Sequence, residues 1–345
     1  MLSSDDVALA VRLVLNREPA GGEEISRLSK LASFKELRRV LLETLQRESP
    51  VLGENNLYKQ YRAPLFLLAP PESDIPWRLS PPDLIDPVSQ LCTHGQVISD
   101  EYAKICAGLR VAPRPHRKQW EFVWIVAALR KAGALAAGAR LVGFGCGREA
   151  LPAFFASQGA EVLATDGPPD IVPPGWKKTR EYGADLDSLF VPRLLQRNAF
   201  NKLVKFRHVD MNNLPEDIQS FDACWSACAL EHLGSLKHGL DFIRNSLNCL
   251  RPGGIAVHTT EFNLSSNEET FEKSRLSIYR KKDIASLLGE LQDEGHEVWP
   301  LNLHPGDKML DEVIDLPPYS PLHLKLLLRD SFVTTSLGIA VRKRT

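Results

Sequence analysis

The sequence contains no C-x-x-C pair. Its six cysteines (Cys92, Cys106, Cys146, Cys224, Cys228 and Cys249) stand apart, several in apolar runs. That usage suits reduced, buried thiols in a cytosol and argues against a disulfide framework. There is no excess of one charge either: the formal net charge is -1, which gives no general attraction to nucleic acid or to an anionic membrane. No basic run opens the chain, because Ser3, Ser4, Asp5 and Asp6 stand where a signal peptide would be positive. Apolar runs such as Leu65–Ala69 are far too short to span a bilayer. No two histidines stand at the H-x-x-x-H spacing of a helical metal site, and no basic-aromatic interleaving points to nucleic-acid readout. Repeats and low-complexity tracts are also missing. What remains is an ordinary globular composition, 25% charged and 43% apolar, in a chain long enough for one large domain and a smaller one. The expectation is a cytoplasmic protein without a membrane span, a nucleic-acid partner or a metal.

The most informative stretch is 141–166. Leu141–Phe144 reads as a strand that runs into a glycine turn, Gly143-Phe-Gly-Cys-Gly147. These glycines permit positive φ and let a ligand approach the backbone. A helix is predicted from about Arg148, with Leu151, Phe154 and Phe155 on one face and Gly159 as its C-cap. Glu161–Thr165 is then a short buried strand that delivers Asp166 to the carboxyl end of the sheet. An acid about 20 residues beyond such a turn is placed to accept hydrogen bonds from ribose hydroxyls. The dinucleotide fingerprint would need its third glycine where Arg148 stands, and here that glycine comes one residue early, at Gly147.

On these residues the chain resembles the class I S-adenosylmethionine-dependent methyltransferases, with a G-x-G-x-G turn and an acid ending the next strand. Three later features extend the resemblance over residues 119–262. Asp210-Met211 matches the place where the family contacts adenine. Phe221–Cys228, followed by Ala229-Leu-Glu-His-Leu233, matches its fourth strand and E-H turn. Leu250-Arg-Pro-Gly-Gly254 matches the lead-in to its fifth strand. The resemblance implies an S-adenosyl-L-methionine cofactor held by Gly143, Phe144, Gly145, Gly147, Asp166, Gly167, Asp210, Met211 and Ser226. It also implies an α/β fold: a doubly wound, Rossmann-like, seven-stranded sheet with a small N-terminal helical domain.

Three parts are expected along the chain. Residues 1–48 read as a small module of three helices with apolar stripes Val7/Val11/Val14/Leu15, Ile25/Leu28/Leu31 and Leu37/Leu41/Leu45. Its turn, Leu15-Asn-Arg-Glu-Pro19, resembles a helical module attached to bacterial proteins that act on surface glycans. Such a module is also a candidate for pairing with a second copy of the chain. Residues 49–115 read as a Pro-rich linker and a helical lid segment, because proline at that density excludes regular helix and central strands. Trp77 and Tyr61 are its expected anchors, and a helix is expected over Leu91–Leu109. Residues 116–345 form the methyltransferase domain. It opens with a helix from His116 to Arg130 whose Gln119 and Trp120 are candidates to touch the cofactor, with core packing as the alternative for Trp120.

For an acceptor hydroxyl the enzyme needs a base, since a neutral hydroxyl is a poor nucleophile at pH 7. His232, in the E-H turn, is the first candidate, and Glu261, near the end of the fifth strand, is the second. His258 falls on the opposite face of that strand from Glu261 and reads as a satisfied core residue. Tyr319 and His304 are candidates to touch the acceptor. Methyl transfer to a hydroxyl of a sugar or glycan intermediate is the expected activity, with a small-molecule amine or natural product as the alternative acceptor. A non-catalytic scaffold on the same fold is the alternative of another class.

Overall fold

Strands and helices that alternate from residue 140 onward build one twisted sheet, and the computed structural model shows what joins it. It describes residues 2–15, 18–34, 36–37, 39–41, 44, 58–172, 182–273 and 275–345. In chain order the strands are β1 (Tyr58–Gln60), β2 (Trp77–Arg78), β3 (Ser89–Leu91), β4 (Arg140–Phe144), β5 (Glu161–Asp166), β6 (Val204–His208), β7 (Phe221–Ala227), β8 (Leu250–Asn263), β9 (Glu272–Lys273), β10 (Leu276–Ser277), β11 (Glu297–Val298), β12 (Leu301–Asn302), β13 (Val313–Asp315), β14 (Leu326–Leu328) and β15 (Phe332–Arg342). The main sheet runs β1-β13-β14-β15-β8-β7-β4-β5-β6. From β8 to β6 all neighbours are parallel, and β15 is antiparallel to β8. A parallel set with helical crossovers on both faces is the doubly wound arrangement.

Two apolar layers cover the sheet. On one face the helix Arg117–Lys131 lies across β8 and β15, with Trp120 and Trp124 stacked at 6.0 Å. Gly338 in β15 is required there, because a Cβ would stand 2.4 Å from the Trp124 ring. On the other face Phe242, from the helix Leu236–Ser246, meets Phe144 edge-on at 5.4 Å, and the helix Lys281–Asp293 packs beside it. Helix starts follow ordinary capping chemistry. Ser99 and Ser235 accept from the Tyr102 and His238 N–H groups, and His116 does the same for Lys118.

The sheet is wider than the seven strands expected. Among the described residues thirteen strands are joined, and the extra ones come from the segment read as a linker and from residues 297–328. β1 pairs antiparallel with β13, β2 and β3 pair in parallel with β12, and β3 also pairs with β15. Proline permits this because each strand is only two or three residues long and contributes few ladder bonds. Tyr61 is an anchor, buried with its hydroxyl donating to the Leu264 carbonyl at 3.2 Å. Trp77 is not, since it is 44% exposed.

Other boundaries move as well. Over 91–109 the chain forms the end of β3 and then two helices, His94–Val97 and Asp100–Gly108. The helix after the glycine turn starts at Leu151, with Pro152 in its first turn, rather than at Arg148. β6 ends at His208, so Asp210 and Met211 lie just past the strand. Arg251-Pro-Gly-Gly254 lies inside β8, because Leu250 already pairs with Phe221 and Gly253 takes φ +73°. Gly175-Trp176 and Leu45 fall outside the described residues. At the N-terminus the helices Ser4–Leu15 and Gly22–Ser29, with Leu37 and Leu41, enclose their own core. That core closes on Met309 and Leu310. Among the described residues no helix is long and apolar enough to cross a membrane.

Candidate active site

Ligands of such sheets bind outside the carboxyl ends of the strands, and two clusters meet there. The first is the glycine turn. Gly145 and Gly147 have φ of +62° and +54°, which an L side chain rarely adopts. A Cβ on Gly145 would stand 2.7 Å from Ala229 Cβ and 3.2 Å from Met211 Sδ; one on Gly143 would stand 2.3 Å from Trp225 Cζ2. The turn is held to the next strand, with the Cys146 N–H donating to Thr165 O at 2.9 Å and Thr165 Oγ1 donating to Gly143 O at 2.8 Å. Asp166 ends β5 as expected, 6% exposed. Its Oδ1 accepts from the Gly167 N–H and its Oδ2 from the Gly183 N–H, both at 2.8 Å. Burial raises the Asp166 pKa, and the backbone donors of Gly183, Gly167 and Gly147 oppose that rise.

Gly183 comes from the insertion between β5 and β6. Its backbone lies so close over the turn that a Cβ would be 2.2 Å from Gly147 O. Arg148 Nε donates to Tyr182 O at 3.3 Å, and the Tyr182 hydroxyl donates to Gly167 O at 3.1 Å. The Tyr182 ring stacks with His208. Asp210 is partly exposed and its Oδ1 accepts from the Asn212 N–H at 2.9 Å, while Met211 is buried against Gly145. Phe144 points into the core against Phe242, so only its backbone faces the turn. Ser226, read as a cofactor residue, sits elsewhere. Its hydroxyl is buried 2.8 Å from His258 Nδ1, and His258 Nε2 is 3.0 Å from Ser246 Oγ. Ser246 donates to Ile243 O, so it accepts from His258 Nε2–H and Ser226 donates to Nδ1. That neutral ring is the satisfied core histidine expected, and burial lowers its pKa to about 3.

The second cluster lies between the first turn of the helix Arg117–Lys131 and the ends of β7, β8 and β15. Arg117 Nη1 is 2.7 Å from Glu261 Oε2, with the side chains 17% and 4% exposed. Lys118 Nζ lies 3.1 Å from Glu121 Oε2 and donates to Ala227 O. Glu121 Oε1 accepts from Cys228 Sγ at 2.9 Å and from Ser336 Oγ at 2.6 Å. Burial pushes the Glu121 pKa up, but Lys118 and Arg117 outweigh it and hold the carboxyl low. For Glu261 burial wins over Arg117, and its pKa is raised. Thr260 donates to the buried Glu231 at 3.2 Å. Glu149 joins the two clusters: it is buried beside the glycine turn, accepts from Trp225 Nε1 at 2.6 Å, and has its pKa raised by burial to about 8.

Of the candidate bases, Glu261 is therefore in an ion pair. The imidazole of His232 is half-buried, with Nδ1 2.7 Å from the Arg275 carbonyl. Trp120 faces the core, and Gln119, half-buried, is tied to the segment that precedes its helix. Gln119 bonds Tyr102, Arg114 and Ala112, and Trp120 Nε1 donates to Gln96. The sequence reading missed Arg117, Lys118 and Glu121. The available signal was one acid, Glu121, inside an apolar helix run. Gly183, Cys228 and Glu149 were also missed as parts of the site.

Residues 142–258, which span the glycine turn, Asp166, Asp210 and most of β8, match the methyltransferase domain family. No curated protein matches the chain. Among solved structures it is similar to the Burkholderia thailandensis 1,6-didemethyltoxoflavin-N1-methyltransferase, crystallised with 1,6-didemethyltoxoflavin and S-adenosylhomocysteine. The identity is 15% over 67% of this chain and 80% of that one, with a TM-score of 0.38. A Mesorhizobium loti S-adenosylmethionine-dependent methyltransferase is 16% identical over 64% of this chain and 98% of its own, with a TM-score of 0.40. The [4+2]-cyclase SpnF is 18% identical over 64% and 84%, with a TM-score of 0.38. None of these likenesses is close enough to carry an argument about substrate. The domain match, laid on a doubly wound sheet with a glycine turn and an acid at its carboxyl edge, makes residues 142–258 a methyltransferase domain with S-adenosylmethionine as its cofactor.

Proposed function

We propose that the enzyme methylates a hydroxyl group of a sugar or glycan intermediate. The observation that carries this reading is the buried Arg117–Glu261 pair, set among Thr260, Glu231, Ser336 and Glu121 near the carboxyl end of β8 and the amino-terminal half of β15. A polyhydroxylated ligand needs donors and acceptors of both kinds in one place, and charged groups make the stronger hydrogen bonds to it. An aromatic, apolar acceptor would instead be served by an apolar wall. The sequence Leu15-Asn-Arg-Glu-Pro19, of which Asn16 and Arg17 lie outside the described residues, supports the same reading through its resemblance to glycan-associated modules.

The residues at the glycine turn suit the cofactor. Gly145 and Gly147 keep the backbone bare, Asp166 offers the remaining lone pairs of a carboxylate to ribose hydroxyls, and Asp210 stands ready for the adenine amino group. Gly143, Phe144 and Gly167 contribute backbone only, and Met211 contributes an apolar contact. The cofactor supplies a methyl group already activated on a sulfonium, so the work left to the protein is alignment and removal of the acceptor's proton. Holding both partners in line is worth at most about 7–11 kcal/mol. In this reading Glu261, oriented by Arg117, holds an acceptor hydroxyl, and His232 orients the loop after β7.

The carboxylates Glu231 and Glu261 would also suit an ammonium group, so a small-molecule amine or natural product is the second reading. Incubation with radiolabelled S-adenosylmethionine and matched sets of nucleotide sugars, oligosaccharides and polyamines separates the two. Label in a sugar ether supports the first, and label only in amines refutes it.

A further inference from the structure

We infer that His323 is the base that takes the proton from the acceptor hydroxyl, with Asp315 as its positioning residue. The inference rests on the hydroxyl-acceptor reading above. His323 lies between β13 and β14, and its carbonyl accepts from the Arg117 N–H at 3.0 Å. That bond fixes it beside the first turn of the helix Arg117–Lys131, where Arg117 reaches Glu261. Its Nδ1 is 2.6 Å from the Ser320 carbonyl. A carbonyl only accepts, so Nδ1 carries the hydrogen and the lone pair of the neutral ring is on Nε2. No hydrogen bond is made by Nε2 among the described residues.

Asp315 Oδ2 stands 3.5 Å from the same Nδ1, and it also accepts from the Ser320 N–H at 2.8 Å. The carboxylate thereby holds the turn that orients the ring, and it faces the imidazolium that forms once Nε2 takes a proton. His323 and Asp315 side chains are 10% and 3% exposed, so that charge pair is little screened. A base, an orienting group and an open nitrogen are the parts that general-base catalysis requires. The other charged and titratable groups around the ring are His116 (4.4 Å between centroids), Tyr319 (6.3 Å), Arg117, and Tyr58 and Lys325 across a small cavity. His116 does not compete: its Nδ1 accepts from the Lys118 N–H, and burial lowers its pKa to about 4.

The step balances without a further reagent. The acceptor O–H bond breaks and its proton goes to His323 Nε2. The oxygen forms a bond to the methyl carbon, and the carbon–sulfur bond breaks with its electron pair kept by sulfur. S-adenosylhomocysteine leaves, and the proton passes from Nε2 to solvent.

The test uses the full chain with three readouts. With the best sugar acceptor from the labelling experiment, H323Q is expected to lower kcat by about 10²–10⁴-fold while S-adenosylmethionine affinity by calorimetry stays within twofold. D315N is expected to lower kcat while the KM of the acceptor stays within twofold, because the carboxylate that holds the Ser320 turn and orients the ring is gone. Long-range ¹⁵N NMR, assigned by the signal lost in H323Q, is expected to show a protonated Nδ1 and a bare Nε2 at pH 8, whatever the acceptor. An Nε2–H tautomer, or H323Q turnover within threefold of wild type, overturns the assignment, as does a comparable loss in H232Q with H323Q unaffected. Label found only in amines overturns the hydroxyl reading instead, and the NMR result still decides the state of the ring.

Discussion

Replacing Arg117 with methionine tests whether the cluster at the first turn of the helix Arg117–Lys131 holds a buried charge pair. The guanidinium is 2.7 Å from Glu261, whose side chain is 4% exposed. Methionine keeps much of the stem volume and leaves the carboxylate without its cation. Breaking a buried pair in this way costs about 3–5 kcal/mol. With Glu261→Gln already in place the same change removes only hydrogen bonds, including the long one to Ser336 Oγ at 3.4 Å, and is expected to cost about 1 kcal/mol. The coupling in the double-mutant cycle is therefore about 2 kcal/mol or more. The pH dependence has a definite sign. Burial already raises the Glu261 pKa against the pull of Arg117, and losing Arg117 raises it further. A raised carboxyl favours the protonated native state, so the penalty of Arg117→Met is full at pH 8 and shrinks as pH falls through the raised pKa. Urea unfolding at pH 8, 6.5 and 5 measures this from the midpoints. A penalty below about 1 kcal/mol at pH 8, or one that ignores pH, refutes the buried pair.

Three other perturbations follow from the same geometry. Gly143→Ala would place a Cβ 2.3 Å from Trp225 Cζ2 and 2.5 Å from Cys146 Sγ; overpacking of this kind costs about 1–3 kcal/mol, and an unchanged melting temperature would contradict it. Burial holds His258 at about 3, below its unfolded value, so its contribution to stability is lost as pH falls from about 6.5. His258→Gln should flatten the acid side of the stability curve by about 1.4 kcal/mol per pH unit, and parallel wild-type and variant curves between pH 6 and 4 would refute this. Glu149 behaves oppositely, raised to about 8, so its contribution is lost as pH rises. Glu149→Gln keeps an acceptor for Trp225 Nε1 and should gain on wild type from pH 5 to pH 8, as read by urea midpoints; a constant difference would count against the buried neutral carboxyl.

The parallel centre of the fold was legible because its strands are apolar runs bounded by glycine, proline or an acid, as in Leu141–Phe144 and Glu161–Asp166. Periodicity also separated His258 from Glu261 correctly, one to the Ser226–Ser246 side and the other to Arg117. The extra strands were not legible, because two or three residues such as Trp77–Arg78 carry no period and their partners lie far along the chain. Arg251-Pro-Gly-Gly254 misled through its composition. Gly253 supplies a positive φ at an irregularity between Leu250 and Ile255, and β8 pairs with β7 on both sides of it. At the site, the glycines and Asp166 announce themselves locally. Gly183 meets Asp166 only through the insertion, and His323 meets Arg117 only through the last strands, so neither has a local signature. Glu121 did have one, an acid amid Trp120, Phe122, Val123 and Trp124. The reading followed Gln119 and Trp120 instead, and both proved to hold the helix in place.

The central claim is that the turn Gly143–Gly147 and Asp166 seat S-adenosylmethionine. Titration calorimetry of the wild-type chain and Asp166→Ala with S-adenosylmethionine tests it most directly. One site per chain is expected in the wild type, with affinity reduced at least about tenfold in the variant, a loss of about 1.4 kcal/mol. No binding by the wild-type chain, or equal affinity in the two proteins, would contradict it.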